Sequence, residues 1–232
     1  SKKIPTDLDF PEDGIHIRWP DGPVEQEKRL ISVKLKAAQA FVRENMLDRI
    51  SHETSKKRLG IVAPGKAWLN VGQAFDELGL SEAERLELGI GVFKVAMPWP
   101  LEPTRIRAWA AGFAEILVVE EKRNLIEDQL ARVLFDLPEE QRPRLVGKCD
   151  ESGNHLVPEY GELSGTIVAQ IIANRFLEEG ESNCLVSAAT AIKARTADSN
   201  RPAAPPERSP WFCAGCPHNS STLVPEGSRA LA

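Results

Sequence analysis

Apolar residues recur along this chain in two alternating patterns. Short continuous apolar runs at 59–63, 90–95 and 114–119 predict buried strands, and a weaker run at 144–148 predicts a fourth. Between them, apolar residues every three or four positions predict helices at 67–78, 104–112 and 125–135. The same spacing predicts helices at 24–47, 164–179 and 181–195. This alternation predicts an α/β fold with a mostly parallel sheet and flanking helices.

Turn residues and composition divide the chain into four parts. Residues 1–54 are predicted to form an N-terminal arm and helix, because six prolines and glycines interrupt the first 23 positions, with a possible short strand at 15–19. Residues 55–163 carry the alternating α/β pattern, and 164–195 extend it with C-terminal helices. Residues 196–232 begin with a linker rich in Pro, Ala and Ser, and then start a different unit.

Charge and cysteine usage exclude several classes of protein. The chain has 29 basic and 34 acidic residues, a net charge of −5, and its basic residues are scattered. The cluster Lys56 to Arg58 is expected to be a solvated turn. A nucleic-acid surface is therefore not expected, and no apolar run is long enough to predict a membrane span. Four cysteines without a disulfide pattern favour a reducing, cytoplasmic environment.

Functional residues in such sheets gather where parallel strands end. Lys66 follows the first strand and opens a helix, which could hold an anion, although an ordinary turn with an exposed lysine is favoured. Glu120 and Glu121 follow the third strand and could do acid–base chemistry. Solvation, or capping of the next helix, is the favoured interpretation of both glutamates.

The pair Cys213 and Cys216 is the strongest chemical signal. Two thiols on one turn could form half of an iron–sulfur or zinc site, a redox dithiol, or a chance pair. A zinc site that adds His218 and a distant cysteine also stays open. Such sites normally need four ligands, so we expect a piece of a longer polypeptide. The other histidines, His16, His52 and His155, are expected to be surface residues.

Several stretches together resemble one enzyme family. They are GIHIRWPD (14–21), LGIVAPGKAWLNVGQAFDEL (59–78), KVAMPWPLEP (94–103), VVEEKRNLIEDQL (118–130) and FCAGCPHNSSTLVPEGSRALA (212–232). Nearly the whole chain resembles the central part of a fused bacterial indolepyruvate ferredoxin oxidoreductase, a member of the 2-oxoacid:ferredoxin oxidoreductases.

The resemblance implies a fold, a reaction and a set of cofactors for the parent enzyme. The α/β part would resemble the C-terminal domain of transketolase, which does not hold the thiamine. The parent would use thiamine diphosphate, Mg²⁺ and iron–sulfur clusters to decarboxylate a 2-oxoacid, acylate coenzyme A and reduce ferredoxin. Its partners would be its own other domains, and it would form a homo-oligomer. Cys213 and Cys216 match a cluster-binding pair in relatives, and His218 would approach the cofactor site only in the parent.

For this chain alone, the same reasoning predicts no bound cofactor and no catalytic residue. The Gly-Asp-Gly motif that binds magnesium and diphosphate is absent from the sequence. One alternative is a free-standing α/β scaffold that binds a partner without catalysis. A small zinc module attached to a sheet domain is another.

Overall fold

The computed structural model describes residues 2–177 except 7, 9, 13 and 17–20, together with residues 190, 194 and 211–228. The chain forms two compact units, Ser1–Arg195 and Thr196–Ala232. The predicted four-part division stays a prediction. The predicted helix at 181–195 lies almost entirely outside the described residues, and the predicted strand at 15–19 lies largely outside them.

One five-stranded sheet forms the centre of the first unit. Its strands are β1 (Arg49–His52), β2 (Leu59–Pro64), β3 (Ile90–Val95), β4 (Glu115–Val118) and β5 (Arg144–Val146). They lie in the order β1-β3-β2-β4-β5. The pairs β2–β3, β2–β4 and β4–β5 are parallel, and only β1, at the edge, is antiparallel to its neighbour. The predicted mostly parallel α/β sheet is confirmed.

Helices cover both faces of this sheet. They are α1 (Pro23–Arg29) and α2 (Leu35–Glu44), joined by a π-helical stretch (Leu30–Lys34), then α3 (Gly65–Leu78), α4 (Glu82–Leu88), α5 (Pro103–Ala110), α6 (Leu125–Phe135) and α7 (Gly165–Leu177). A short 3₁₀ helix spans Glu139–Gln141, and α8 (His218–Ser221) belongs to the second unit. No helix among the described residues has the length and apolar character that crossing a bilayer requires.

The continuous apolar runs are explained by burial on both faces. In β2, Leu59, Ile61 and Ala63 pack into the cluster formed with α3 and α7. The intervening Val62 points the other way, into the cluster formed with α5 and α6. Successive strand side chains point to opposite faces, and here each face meets helices. Because both faces of this strand are buried, consecutive positions along it carry nonpolar residues.

Two glycines let aromatic side chains approach the sheet. Gly60 on β2 and Gly91 on β3 are register partners. A Cβ atom on Gly91 would lie 2.7 Å from Cζ of Phe113, and one on Gly60 would lie 2.9 Å from Cη2 of Trp109. The rings of Trp109 and Phe113 lie 4.8 Å apart between their centroids. The aromatic pair thus occupies the space that two side chains would otherwise fill.

Local signals in the sequence account for the short helix α4. Ser81 accepts a hydrogen bond from the backbone of Glu84, and the Glu84 side chain accepts one from the backbone of Ser81. This reciprocal pair is a capping box. Gly79 and Gly89 adopt positive φ at the C-caps of α3 and α4, a conformation that glycine adopts without strain.

Two expectations need correction. His52 is not a surface residue on a loop, because it lies half-buried in β1, a strand that the apolar pattern did not reveal. The turn at Lys56 to Arg58 is not simply solvated. Lys57 donates to the carbonyl oxygens of Trp109 and Ala111 at 3.1 and 2.7 Å, and Arg58 lies over the ring of Phe176. Through these contacts, the start of β2 is held against the end of α5 and against α7.

Candidate functional site

The carboxyl ends of the parallel strands are covered by the chain itself. Leu163, in the loop before α7, lies at the centre of this cover. Its carbonyl oxygen accepts hydrogen bonds from Nδ2 of Asn70 at 2.7 Å and from Nζ of Lys66 at 3.1 Å. Its backbone N–H donates to Oε1 of Glu121 at 3.2 Å. Both Lys66 and Glu121, which were candidate site residues, therefore hold a loop in place.

Other strand-end residues hold the same loop, residues 158–163. Lys122 Nζ donates to the carbonyl oxygen of Gly161 at 2.7 Å. Lys66 forms an ion pair of 2.8 Å with Glu162, and this contact raises the pKa of Lys66. The loop thus crosses the edge where α/β sheets usually bind ligands. We call residues 158–163 the covering loop.

Glu120 caps the helix that follows it. The residue is 4% exposed, and its two carboxylate oxygens accept hydrogen bonds from the backbone N–H groups of Ile126 and Glu127 at 2.9 and 3.0 Å. These donors belong to the first turn of α6, where N–H groups have no partner within the helix. The negative charge also suits the positive end of the helix dipole. The geometry of Glu120 therefore agrees with the favoured interpretation, capping of the next helix.

A buried lysine beside Glu120 was not predicted. Lys148 is 4% exposed, and its Nζ donates to the carbonyl oxygen of Glu120 at 2.6 Å and to that of Pro158 at 3.5 Å. Burial lowers the pKa of Lys148, and nearby Glu120 and Glu127 oppose that change. Burial also raises the pKa of Glu127. The sequence signal was weak, because Lys148 stands at the end of a short strand like any exposed lysine.

A second buried acid lies at the end of β3. Asp48 is fully buried, and its Oδ1 accepts a hydrogen bond of 2.7 Å from the backbone of Ala96. Its other oxygen, Oδ2, has no hydrogen-bond partner among the described residues. Burial raises the pKa of Asp48, and the negative charge of Glu102 adds to that effect. This carboxyl group lies between α2 and β1 and is bonded to the residue that follows β3.

The loop at 97–103, which follows β3, is held from two sides. Gln129 on α6 accepts from the backbone of Leu101 at 2.8 Å and donates to the carbonyl oxygen of Pro98 at 2.9 Å. Gln39 on α2 donates to the carbonyl oxygen of Leu101 at 2.7 Å. Trp99, between these anchors, is 55% exposed. The loop is therefore fixed in place while its tryptophan faces solvent.

An ion-pair network fastens α7 at the opposite, amino-terminal edge of the sheet. Arg175 on α7 is buried and donates to both carboxylate oxygens of Glu115 on β4, at 2.8 and 2.6 Å. Its Nη2 also donates to Glu151 at 2.9 Å. The hydrogen bonds to Glu115 raise the pKa of Arg175, so the guanidinium stays charged. Bidentate pairing of this kind adds geometric specificity.

The second unit brings Cys216 and His218 together. Sγ of Cys216 lies 3.2 Å from Nδ1 of His218, and the imidazole stacks on Phe212 with 5.2 Å between ring centroids. Asn219 donates to the carbonyl oxygen of Cys213 at 3.0 Å. Cys213 is exposed and Cys216 is half-buried. Both are free thiols, as is Cys149 in the first unit.

These residues do not fit a complete iron–sulfur or zinc site. Both kinds of site normally use four ligands. Among the described residues, no group of three His, Cys, Asp or Glu side chains lies close enough to hold a metal ion. The thiols of Cys213 and Cys216 could therefore supply only part of a coordination shell. Their predicted ligand role, and that of His218, stays a prediction.

The fold and the covered strand ends define an α/β domain with an additional cysteine-containing unit. A family model described as the indolepyruvate oxidoreductase domain matches residues 49–199. The chain belongs to this family. The match includes the whole sheet and α3 to α7, and it ends before Cys213 and Cys216.

Two curated relatives have the same family name. The chain is 28% identical over 193 residues to the indolepyruvate oxidoreductase subunit IorA of Methanothermobacter marburgensis, and the match covers 83% of this chain. It is 26% identical over 191 residues to subunit IorA of Methanothermobacter thermautotrophicus, covering 81% of this chain. Both matches span about 26% of the relative's length. Among solved structures, an inactive β4 tetramer of a split-gene transketolase is similar at 20% identity, with a TM-score of 0.35, covering 62% of this chain and 41% of that one.

Proposed function

We propose that this chain is the central structural part of an indolepyruvate:ferredoxin oxidoreductase. The complete enzyme would decarboxylate a 2-oxoacid with thiamine diphosphate, transfer the acyl group to coenzyme A and pass electrons to ferredoxin. The observation that carries this proposal is the family match over residues 49–199. The two IorA relatives, each much longer than this chain, support the view that it supplies one part of a larger enzyme.

The contacts at the strand ends support a structural role for the α/β part. Glu120 uses both oxygens to cap α6, and Glu121 and Lys66 are bound to Leu163. A general acid or base needs a free oxygen or nitrogen within reach of a substrate. The residues with the best position for catalysis are instead used for capping and loop attachment. We therefore propose that the isolated chain is inactive.

In the complete enzyme, Cys213 and Cys216 would supply two of the ligands of an iron–sulfur cluster. The observations that support this are two free thiols on one turn and an exposed Cys213. The remaining ligands, the thiamine diphosphate and the Mg²⁺ would be held by other parts of the enzyme, which would also provide the surfaces for ferredoxin, coenzyme A and homo-oligomer contacts. A cytoplasmic location belongs to the same proposal, because thiols of this kind persist where the environment is reducing.

Activity of the isolated chain and of the complete polypeptide tests the proposal. Each would be assayed for dye or ferredoxin reduction with indolepyruvate, coenzyme A, thiamine diphosphate and Mg²⁺. We expect turnover by the complete polypeptide and none by residues 1–232. Turnover by the isolated chain would refute its structural role. A complete polypeptide that is inactive with indolepyruvate and other 2-oxoacids, and that binds neither thiamine diphosphate nor an iron–sulfur cluster, would favour the scaffold without catalysis.

A further inference from the structure

An open cavity of about 280 Å³ lies between α3 and the edge strand β1, outside the residues that the proposed function uses. It belongs entirely to the first unit. Its walls come from β1, β3, α3 and α4. Small-molecule sites are typically concave, mostly apolar, and about 300 Å³ or larger. The cavity is therefore at the small end of that range, the size for a ligand of one or two rings.

Two aromatic side chains of α3, together with Leu69, Val71 and Val92, form the apolar part of the cavity wall. Trp68 is fixed by a hydrogen bond of 2.9 Å from its Nε1 to Oγ of Ser51, and Nζ of Lys94 lies 3.9 Å from its ring centroid. Phe75 lies two turns further along the same helix, with the guanidinium of Arg85 5.0 Å from its ring centroid. These contacts keep both rings in position without filling the space beside them.

Gly72 keeps the space between the two rings open. It lies one turn after Trp68 on α3, and a Cβ atom built there would meet no described atom within 4 Å. Glycine is the least favourable residue in a helix interior after proline. A larger residue would therefore strengthen α3 and would fill the cavity. Glycine at position 72 therefore makes α3 less stable and leaves the neighbouring space open.

Two residues that line the cavity each have a buried nitrogen atom without a hydrogen-bond partner among the described residues. The two atoms are Nε2 of His52 and Nε of Arg85. Arg85 is held in place through Nη1, which donates to the carbonyl oxygen of Leu80 at 3.0 Å. Burial and the charge of Arg85 lower the pKa of His52, while the charge of Glu82 opposes them, and the net direction favours the neutral imidazole. Buried polar atoms without partners are uncommon in folded proteins and call for an explanation.

We propose that this cavity binds a small planar aromatic carboxylate. The ring of the ligand lies beside Trp68 and Phe75, over Gly72. Both buried nitrogens turn toward the cavity when the ligand binds, and its carboxylate then accepts hydrogen bonds from Nε of Arg85 and from the Nε2–H tautomer of His52. Asp76 is the acidic residue of the wall, and it is exposed, so solvent screens its charge. The inference rests on the cavity alone and does not depend on the proposed function.

Calorimetric titration of the 232-residue chain tests the proposal with benzoate and indole-3-acetate as probes. The matching primary amides serve as neutral controls. We expect a carboxylate to bind with a dissociation constant of about 1 mM or tighter, a modest affinity for a ligand of this size. The amide should bind roughly tenfold more weakly, because it loses a charge-assisted hydrogen bond. No binding of either carboxylate would overturn the proposal, and equal binding of acid and amide would overturn the assigned donors.

A variant that fills the cavity provides the second test. Gly72→Leu should weaken carboxylate binding by about tenfold or more, and it should not lower the thermal midpoint, since leucine favours helix more than glycine does. The matched control is Ala83→Leu, which adds a side chain at an exposed position of α4 outside the cavity wall. Unchanged binding by Gly72→Leu would overturn the proposed site.

Variants of the two donors separate binding from folding. His52→Phe removes the unpartnered nitrogen and keeps a planar ring, so binding should weaken about tenfold while the thermal midpoint stays the same or rises. Arg85→Lys keeps the positive charge and removes Nε–H, and it should also weaken binding. If His52→Phe bound the carboxylate as well as the original chain, the role of His52 would be wrong.

Discussion

The capping role of Glu120 makes a quantitative prediction for the variant Glu120→Ala. Alanine leaves two first-turn N–H groups, those of Ile126 and Glu127, without their acceptors. An unsatisfied buried donor costs about 1–3 kcal/mol. Ile126 is buried, while the N–H of Glu127 lies closer to solvent, where water can replace part of the bond. We expect the free energy of unfolding to fall by about 2–4 kcal/mol, a large part of the roughly 5–15 kcal/mol that stabilises a typical domain.

Glu120→Gln separates hydrogen bonding from charge. Glutamine keeps one oxygen as an acceptor for a backbone N–H, but it loses the second acceptor and the negative charge at the start of α6. The charge is worth about 0.3–1 kcal/mol at a helix N-terminus. The loss of stability should therefore lie between zero and that of Glu120→Ala. A loss as large as that of alanine would indicate that both oxygens are needed together.

Urea unfolding followed by circular dichroism measures these differences. The matched control is Glu84→Ala, which breaks the exposed capping box of α4. Water can satisfy the freed N–H groups there, so this variant should lose clearly less stability than Glu120→Ala. Equal losses in the two variants would refute the argument from burial. A Glu120→Ala protein as stable as the original chain would mean that Glu120 does not cap α6 in solution.

Three further variants test other parts of the fold by the same unfolding measurement. Gly91→Ala should lower the free energy of unfolding by about 1–3 kcal/mol, because its Cβ would press on Phe113. Gly72→Ala is the control in open space and should leave that free energy unchanged or raise it. The pKa of Asp48 is raised in the folded chain, so the folded state binds this proton more tightly than the unfolded state does. The free energy of unfolding should therefore fall as the pH rises from the ordinary pKa of 3.8 to the raised pKa. Asparagine cannot ionise, so the variant Asp48→Asn should not lose stability in this way over this pH range. If the difference in free energy of unfolding between the variant and the original chain did not change with pH, the raised pKa of Asp48 would be wrong.

Elements with strong local signals could be predicted from the sequence. The bounds of β3 and α6 agree with the predicted 90–95 and 125–135. Each has a complete apolar pattern of its own. The capping box of Ser81 and Glu84 is formed by residues three positions apart, so the sequence displays all of it. Such features need no information about distant parts of the chain.

Features that depend on distant partners could not be predicted. Strand β1 has only one strongly apolar residue, Ile50, and it becomes a strand because β3 offers it an edge. Asp48 and Lys148 look like exposed charges, and their burial depends on Ala96 and Glu120, which are far away in sequence. His52 was misjudged for the same reason, since its surroundings come from α4 as well as from its own strand.

The covering loop lies over the ends of β2 and β4, the edge at which α/β sheets commonly bind ligands. A ligand at the ends of β2 and β4 would have to displace Leu163, whose backbone is bound to Asn70, Lys66 and Glu121. Each net hydrogen bond is worth about 0.5–1.5 kcal/mol, and the buried one from Asn70 would leave an unsatisfied amide at further cost. The side chain of Leu163 is itself part of the core with α3 and α7, so displacement would also expose apolar surface. Ligand binding at that edge is therefore opposed by both polar and apolar terms, whereas the cavity beside Gly72 is already open.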